Sequence, residues 1–293
     1  MDTKYLKQIL GELPWSAEIY GLLRRMDQPP SGGYELDRLR QNLPAWREAA
    51  VERQTTASPG KRILIFSMLR YWIEQTSLVG LALAAQGNQV ALAYLPHAQW
   101  KEPVARFDLR RQSLYIQSVL KLAQPQLEII PLFDADGAAT LPSGWDERLQ
   151  EQAYRDWQYT LLQENVDRQS DLYRYRLEQN RSHAKAMYQL LQSWQPDVLL
   201  LPNGSILEYG ISFQVAQELG ITTVTYEFGE QSERIWLAHN ADVMRQDTSV
   251  LWQARGEQPL DEQEWERVKQ FFAIRQGGGL WENFTRRWQG AET

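Results

Sequence analysis

The chain's 293 residues suffice for one large domain or two small ones, and its apolar share of 43% is enough to build a substantial core. It has no cysteine and three histidines, His97, His183 and His239, which excludes disulfides, thiol catalysis and cysteine-based metal centres and leaves no metal site expected. A formal net charge of −6 opposes sequence-blind nucleic-acid binding, which needs a dense cationic footprint.

The first 60 residues read as helices over 5–10, 17–25 and 35–53, the last with a break or restart at Pro44, separated by Pro14 and by the turn-rich run from Gln28 to Gly33. They are expected to form an outer helical layer. At Arg62 the pattern changes to Ile63-Leu64-Ile65-Phe66-Ser67, a continuous apolar run of the kind buried on both faces of a parallel sheet. A helix over 73–86, ended by Gly87-Asn88, and a second apolar run over 89–95 complete a βαβ unit. A helix over 109–123 stopped by Pro125 leads to a third strand over 127–133, where Pro131 predicts an edge position. Residues 146–195 carry aromatic and leucine side chains at helical spacing and are expected to form two or three inserted helices. A fourth strand follows at 197–201, closed by Pro202-Asn203-Gly204. Next come a helix over 207–219 with Gly220 as its left-handed terminator and a fifth strand from Ile221. Beyond Gly229 a short strand is expected over 234–238, a helix over 261–276 capped by Asp261, and a last amphipathic helix over 281–288 after the Gly277-Gly278-Gly279 hinge.

This alternation predicts an α/β fold: an open, doubly wound, mostly parallel, Rossmann-like sheet with right-handed crossovers. The expected organisation is a helical layer over 1–60, a sheet domain over 61–276 with its helical insert at 146–195, and a hinge with a terminal helix over 277–293. Ligands of such sheets bind beyond the carboxyl ends of the strands where the winding reverses, beside the first and fourth strands. Three segments are expected to meet there: 67–72, 202–205 and 227–240.

Neither G-x-G-x-x-G, G-x-x-x-x-G-K-[ST] nor G-x-S-x-G follows any of the strands, so dinucleotide, P-loop and α/β-hydrolase chemistry are disfavoured and no cofactor is expected. The cleft instead offers carboxylates, a histidine, an arginine, amides and aromatic surface, an inventory suited to a hydroxyl-bearing substrate. Removing a hydroxyl proton needs a carboxylate or imidazole within hydrogen-bond reach. Glu227, Glu230 and His239 are the catalytic candidates, with Glu233 nearby. Ser67, Arg70, Tyr71, Trp72, Glu74, Asn203, Gly204 and Asn240 are the candidate substrate-binding residues. The opposing structural reading makes Glu74 a helix cap, Asn203-Gly204 a turn, and the acidic residues solvated loop charge.

Three blocks, ILIFSMLRYWIEQTSLVGLALAAQGNQV (63–90), WQPDVLLLPNGSILEYGISFQVAQELGITTVTYEFG (194–229) and HNADVMRQDTSVLW (239–252), resemble the amino-terminal half of bacterial GT-B glycosyltransferases of capsule and cell-surface polysaccharide biosynthesis. The strand ending Tyr226-Glu227-Phe228-Gly229 and the later His239-Asn240 are the more particular part; the first block is a generic opening for such domains. The resemblance implies a transferase that moves a sugar from a nucleotide donor to an acceptor hydroxyl without bound metal. The amino-terminal half would hold the acceptor and commonly the base. The donor nucleotide belongs to a carboxyl-terminal domain that this chain does not contain, so the chain alone is expected to be inactive.

The expected partner is thus a sugar or lipid-linked glycan acceptor, with the nucleotide sugar reached only through that other domain. Two alternatives stand beside it: a non-catalytic sugar- or protein-binding assembly module, and a GT-B-like sugar-modifying enzyme such as an epimerase. The amino terminus lacks the apolar core of a secretory signal, and no apolar run approaches the roughly 20 residues of a membrane span. The expected location is cytoplasmic; Trp100 and Lys101 with Arg106, Arg110 and Arg111 have two readings, a solvated helix face, which is the commoner origin of such a patch, and peripheral contact with an anionic leaflet at the inner face of the membrane.

Overall fold

The computed structural model describes residues 3–24, 35–54, 58–96, 103–133, 139–229, 234–245 and 247–277. At its centre is a six-stranded sheet built from β1 (Arg62–Met68), β2 (Gln89–Leu95), β3 (Leu127–Pro131), β4 (Val198–Pro202), β5 (Thr222–Phe228) and β6 (Ile235–His239). The order is β3-β2-β1-β4-β5-β6, parallel throughout except that β6 runs antiparallel to β5. The winding therefore reverses between β1 and β4, as the alternation predicts. Pro131, which has no amide to give a ladder, ends β3 at one edge of the sheet.

Each central strand is apolar along its length because both of its faces are covered. On one face lie α4 (Arg70–Ala84) and α5 (Arg106–Leu120). Gly80 of α4 comes so close to the sheet that a Cβ there would lie 3.3 Å from Ile65 Cδ1. On the other face pack α7 (Asp171–Trp194) and α8 (Leu207–Glu218), with Phe66 of β1 meeting His183 and Tyr209. The inserted segment resolves into two helices, α6 (Trp145–Leu161) and α7, and α6 packs against α7 and α8. Gly220 has φ +66 and ends α8 as expected.

Outside α5 lie α1 (Thr3–Glu12) and α2 (Ser16–Arg24), while α3 (Asp37–Gln54) packs against α4. The break expected at Pro44 does not occur. Helix α3 runs through Pro44, and the lost backbone hydrogen bond is offset by burial of Leu39, Leu43 and Ala50 along one stripe. At the other end of the chain, α9 (Ser249–Arg255) was not expected, whereas α10 (Glu262–Gln276) starts at its expected cap. Asp261 Oδ1 accepts from the Glu264 amide at 2.8 Å and Glu264 Oε2 accepts from the Asp261 amide at 3.0 Å, a reciprocal capping box. No helix among the described residues is long and apolar enough to cross a membrane. The expected helix over 281–288 lies outside the described residues.

Candidate functional site

The pairing of β1 with β2 continues to Met68↔Leu95, but β1 pairs with β4 only as far as Ile65↔Leu200. Beyond that point the two strands part, opening the gap where a ligand crevice is expected. Its floor is occupied by the protein itself. The Tyr209 hydroxyl, brought in by the first turn of α8, accepts from the Met68 amide at 2.9 Å and donates to the Met68 carbonyl at 2.6 Å. Burial, opposed by its hydrogen bond to Met68, holds this phenol well above its usual range.

The backbone around the gap is unusual. Leu69 (φ 71), Asn203 (φ 62) and Leu207 (φ 55) are all non-glycine residues with positive φ, at the carboxyl ends of β1 and β4. Such conformations cost about 1–3 kcal/mol each and persist where surrounding contacts over-determine them. Asn203 shows how. Its amide donates to the Tyr226 carbonyl at 2.7 Å, and its Oδ1 accepts from the amides of Ser205 and Ile206 at 2.9 and 3.3 Å. Gly204 (φ +80) completes the turn, and a Cβ there would sit 2.6 Å from Thr225 Cγ2.

Asn203 spends its remaining amide group on Glu227, with Nδ2 donating to Oε2 at 3.1 Å. The two side chains predicted from separate segments therefore meet at the carboxyl ends of β4 and β5. Glu227 is half-buried, and its Oε1 lies 3.1 Å from the Phe228 amide. Close by, Arg155 of α6 places Nη1 3.5 Å from the Ser205 carbonyl. Burial, then the neighbouring Arg245, holds that guanidinium below its usual range.

The other candidates do not all converge. Ser67 is fully buried within β1, since the strand continues through Met68 before the loop begins. Trp72 is buried too: it stacks on Phe228 with ring centroids 4.8 Å apart and meets Tyr226 edge-on at 5.4 Å. Arg70 and Tyr71 are exposed at the start of α4, and Glu74 is half-buried one turn on. Tyr71 and Glu74 face a groove between α3 and α4.

His239 and Asn240 are separated from Glu227 by the direction of β6. Trp236 lies opposite Glu227, and His239 lies opposite Val224. At about 3.3 Å per residue this puts His239 roughly 10 Å along the strand towards the amino-terminal end of the sheet. Asn240 fastens that end: its Oδ1 accepts from the Thr223 amide and its own amide donates to the Thr223 carbonyl, both at 2.8 Å. Glu230 and Glu233 lie outside the described residues, as do Trp100 and Lys101. Among the described residues, no cluster of three potential metal ligands occurs.

The densest polar constellation was not anticipated from the sequence. Arg176 of α7, its side chain 2% exposed, donates from Nε to Asp156 Oδ2 and from Nη1 to Glu208 Oε1, each at 3.0 Å. Asp156 accepts three further bonds: from Asn180 Nδ2 at 2.9 Å, Gln152 Nε2 at 2.8 Å and the Leu207 amide at 2.6 Å. Burial alone would depress the Arg176 guanidinium, but the charges of Glu208 and Asp156 prevail and raise it. Next to it, Ser212 Oγ donates to the Glu208 carbonyl at 2.7 Å and therefore accepts from His183 Nε2 at 2.8 Å. This fixes the proton of a neutral imidazole on Nε2. Burial pulls His183 down to about 4, with Glu208 opposing and Arg176 reinforcing.

The network joins α6, α7 and the β4–α8 loop directly beneath the Asn203 turn, so it positions that turn. Its sequence signal was present in the four-residue steps Gln152/Asp156 and Arg176/Asn180, on the same helical stripes as Leu149, Ala153, Ala184 and Met187. No family model matches the chain, and no curated protein matches it in sequence.

Proposed function

We propose that this chain is the acceptor-binding half of a nucleotide-sugar-dependent glycosyltransferase of GT-B type, acting in the synthesis of surface polysaccharide or glycolipid. The observation that carries the reading is the Asn203–Glu227 pair: a half-buried carboxylate held by an amide beside the point where the sheet's winding reverses. In this role Glu227 accepts the proton of an acceptor hydroxyl as its oxygen bonds to the sugar's anomeric carbon. The nucleoside diphosphate departs with the electron pair of the broken bond. Asn203 orients the base, and a second α/β domain holds the donor nucleotide.

The test uses the full chain. It should retain oligosaccharides in a binding assay, less well after Asn203→Ala, and release no nucleotide from UDP-glucose, UDP-galactose or GDP-mannose by itself. Turnover by the chain alone, or failure to retain any oligosaccharide, overturns the reading.

One observation favours the assembly module as a second reading. Ile235, Trp236 and Leu237 of the edge strand β6 are each more than half exposed, as are Val250, Leu251 and Trp252 of α9, an apolar display of the kind that marks interaction surfaces. Association by sedimentation velocity that survives combined Glu227→Gln and His239→Ala changes and is lost on Trp236→Ser would favour it.

A further inference from the structure

We propose that the groove between α3 and α4 is a binding site for a single neutral sugar ring, separate from the Asn203–Glu227 pair. The groove has a volume of about 210 Å³. Pockets for drug-sized ligands run to about 300–1,000 Å³, so this one suits a single ring and is too small for a nucleotide sugar. Its floor is Leu39, fully buried on α3. Two aromatic side chains border it from opposite helices: Trp46, half-buried on α3, and Tyr71, 50% exposed on α4. Flat apolar surfaces with a polar tip match the C–H faces of a pyranose.

The polar lining matches its hydroxyls. Arg38 supplies donors only, Glu74 acceptors only, and Gln75 a mixed amide. The Gln75 amide is already oriented, since its Oε1 accepts from the Tyr226 hydroxyl at 2.6 Å. One cation and one anion among the lining groups leave the groove near neutrality, which disfavours phosphates and carboxylates as ligands and favours a neutral polyol. The α3 wall is anchored to α5 before any ligand arrives. The Leu36 amide just ahead of α3 donates to the Tyr115 hydroxyl at 2.9 Å, and the Arg40 guanidinium lies 5.6 Å from the centroid of the same ring. Binding at a preformed site avoids an ordering cost.

This site goes beyond the transfer reading and needs none of its chemistry. The groove meets β5 through the Gln75–Tyr226 bond and through Tyr71, whose neighbour Trp72 packs on Tyr226 and Phe228, and successive side chains alternate between the faces of a strand. Tyr226 therefore lies on the face of α4, opposite to that of Glu227.

Saturation-transfer difference NMR on the full chain with the methyl glycosides of glucose, galactose and mannose is the test, with methyl phosphate and glycerol as controls. At least one glycoside should give a signal, strongest at ring C–H protons, and the controls none. Arg38→Ala and Glu74→Gln, at an exposed and a half-buried position, should reduce it at least fivefold. Trp46→Ala should abolish it, while Trp46→Phe retains it. Signals unchanged in Arg38→Ala and Glu74→Gln overturn the proposal, whatever the folding of the Trp46 variants. If Asn203→Ala and Glu227→Gln remove the signal and the groove variants keep it, the groove assignment fails and the transfer reading stands. Loss in the groove variants alone supports the groove independently of transfer. No signal from any glycoside refutes the groove.

Discussion

The Tyr209 hydroxyl serves both backbone polar groups of Met68, taking its amide hydrogen at 2.9 Å and giving its own to the carbonyl at 2.6 Å. A helix on one face of the sheet thus satisfies a strand end that β4 has left behind. The gap between β1 and β4 is closed from below, so a ligand at the switch point meets the loops above it.

Removing that hydroxyl leaves a buried donor and acceptor without partners. Tyr209→Phe should cost about 1–3 kcal/mol, read as a lowered midpoint in urea with little change in slope. A change below about 0.5 kcal/mol would mean that water or a shifted strand replaces the bond.

At Gly204 two constraints act together: a φ of +80 and a prospective Cβ 2.6 Å from Thr225 Cγ2. Gly204→Ala is expected to destabilise by more than the roughly 1–2 kcal/mol of the left-handed backbone alone. Adding Thr225→Ser removes the methyl and keeps the hydroxyl bonded to the Ala241 carbonyl, so the double variant should recover the steric part and retain the backbone part. Additive losses in the double-mutant cycle would refute this contact.

For His183 the pH dependence has a definite sign. The unfolded imidazole takes up a proton near its ordinary 6.5, whereas the folded one, buried among Phe66, Ser212, Glu208 and Arg176, does so only near 4. Acidification therefore favours the unfolded state: the contribution is complete above 6.5 and is lost as the pH falls to about 4. At 1.36 kcal/mol per unit it amounts to about 3 kcal/mol. Urea titrations from pH 7 to 4 should show this loss in the parent chain and a shallower one in His183→Gln, which keeps a donor near Ser212. Equal slopes would show that His183 does not govern acid sensitivity in this range.

Removing one arm of the buried ion cluster should be the most damaging change. Asp156→Ala takes the acceptor from Arg176 Nε, Asn180 Nδ2 and the Leu207 amide at once and leaves Arg176 with Glu208 as its one charged partner, at a cost of about 3–5 kcal/mol. Thermal unfolding measures it. Replacing Arg176, Asp156 and Glu208 together by apolar residues of similar volume should be far milder, and a triple variant worse than the single one would contradict the argument.

The strands were legible because continuous apolar runs such as 63–66 and 198–201 permit little else, and Pro131 and Gly220 each marked a local backbone condition that sequence states directly. The meeting of Asn203 with Glu227 followed from topology. The place of His239 did not, because hydrophobicity does not encode strand direction, and antiparallel β6 carries it away from the residues it follows. The sequence places Trp72 at the cleft because the loop after the first strand is expected to run through residue 72, ahead of a helix from 73. Only the packing partner Phe228 reveals that this side chain turns inward. Arg176, Asp156 and Glu208 were hidden for the opposite reason: charged side chains on helices read as solvent-facing, and their mutual pairing appears only when α6, α7 and α8 are assembled.

That shared pairing has an evolutionary corollary. Because a lone change in the Arg176–Asp156–Glu208 set leaves buried polar groups without their partners while a concerted one does not, descendants of this chain should keep the trio intact or exchange it wholesale. The three positions should drift through sequence space as one inherited character.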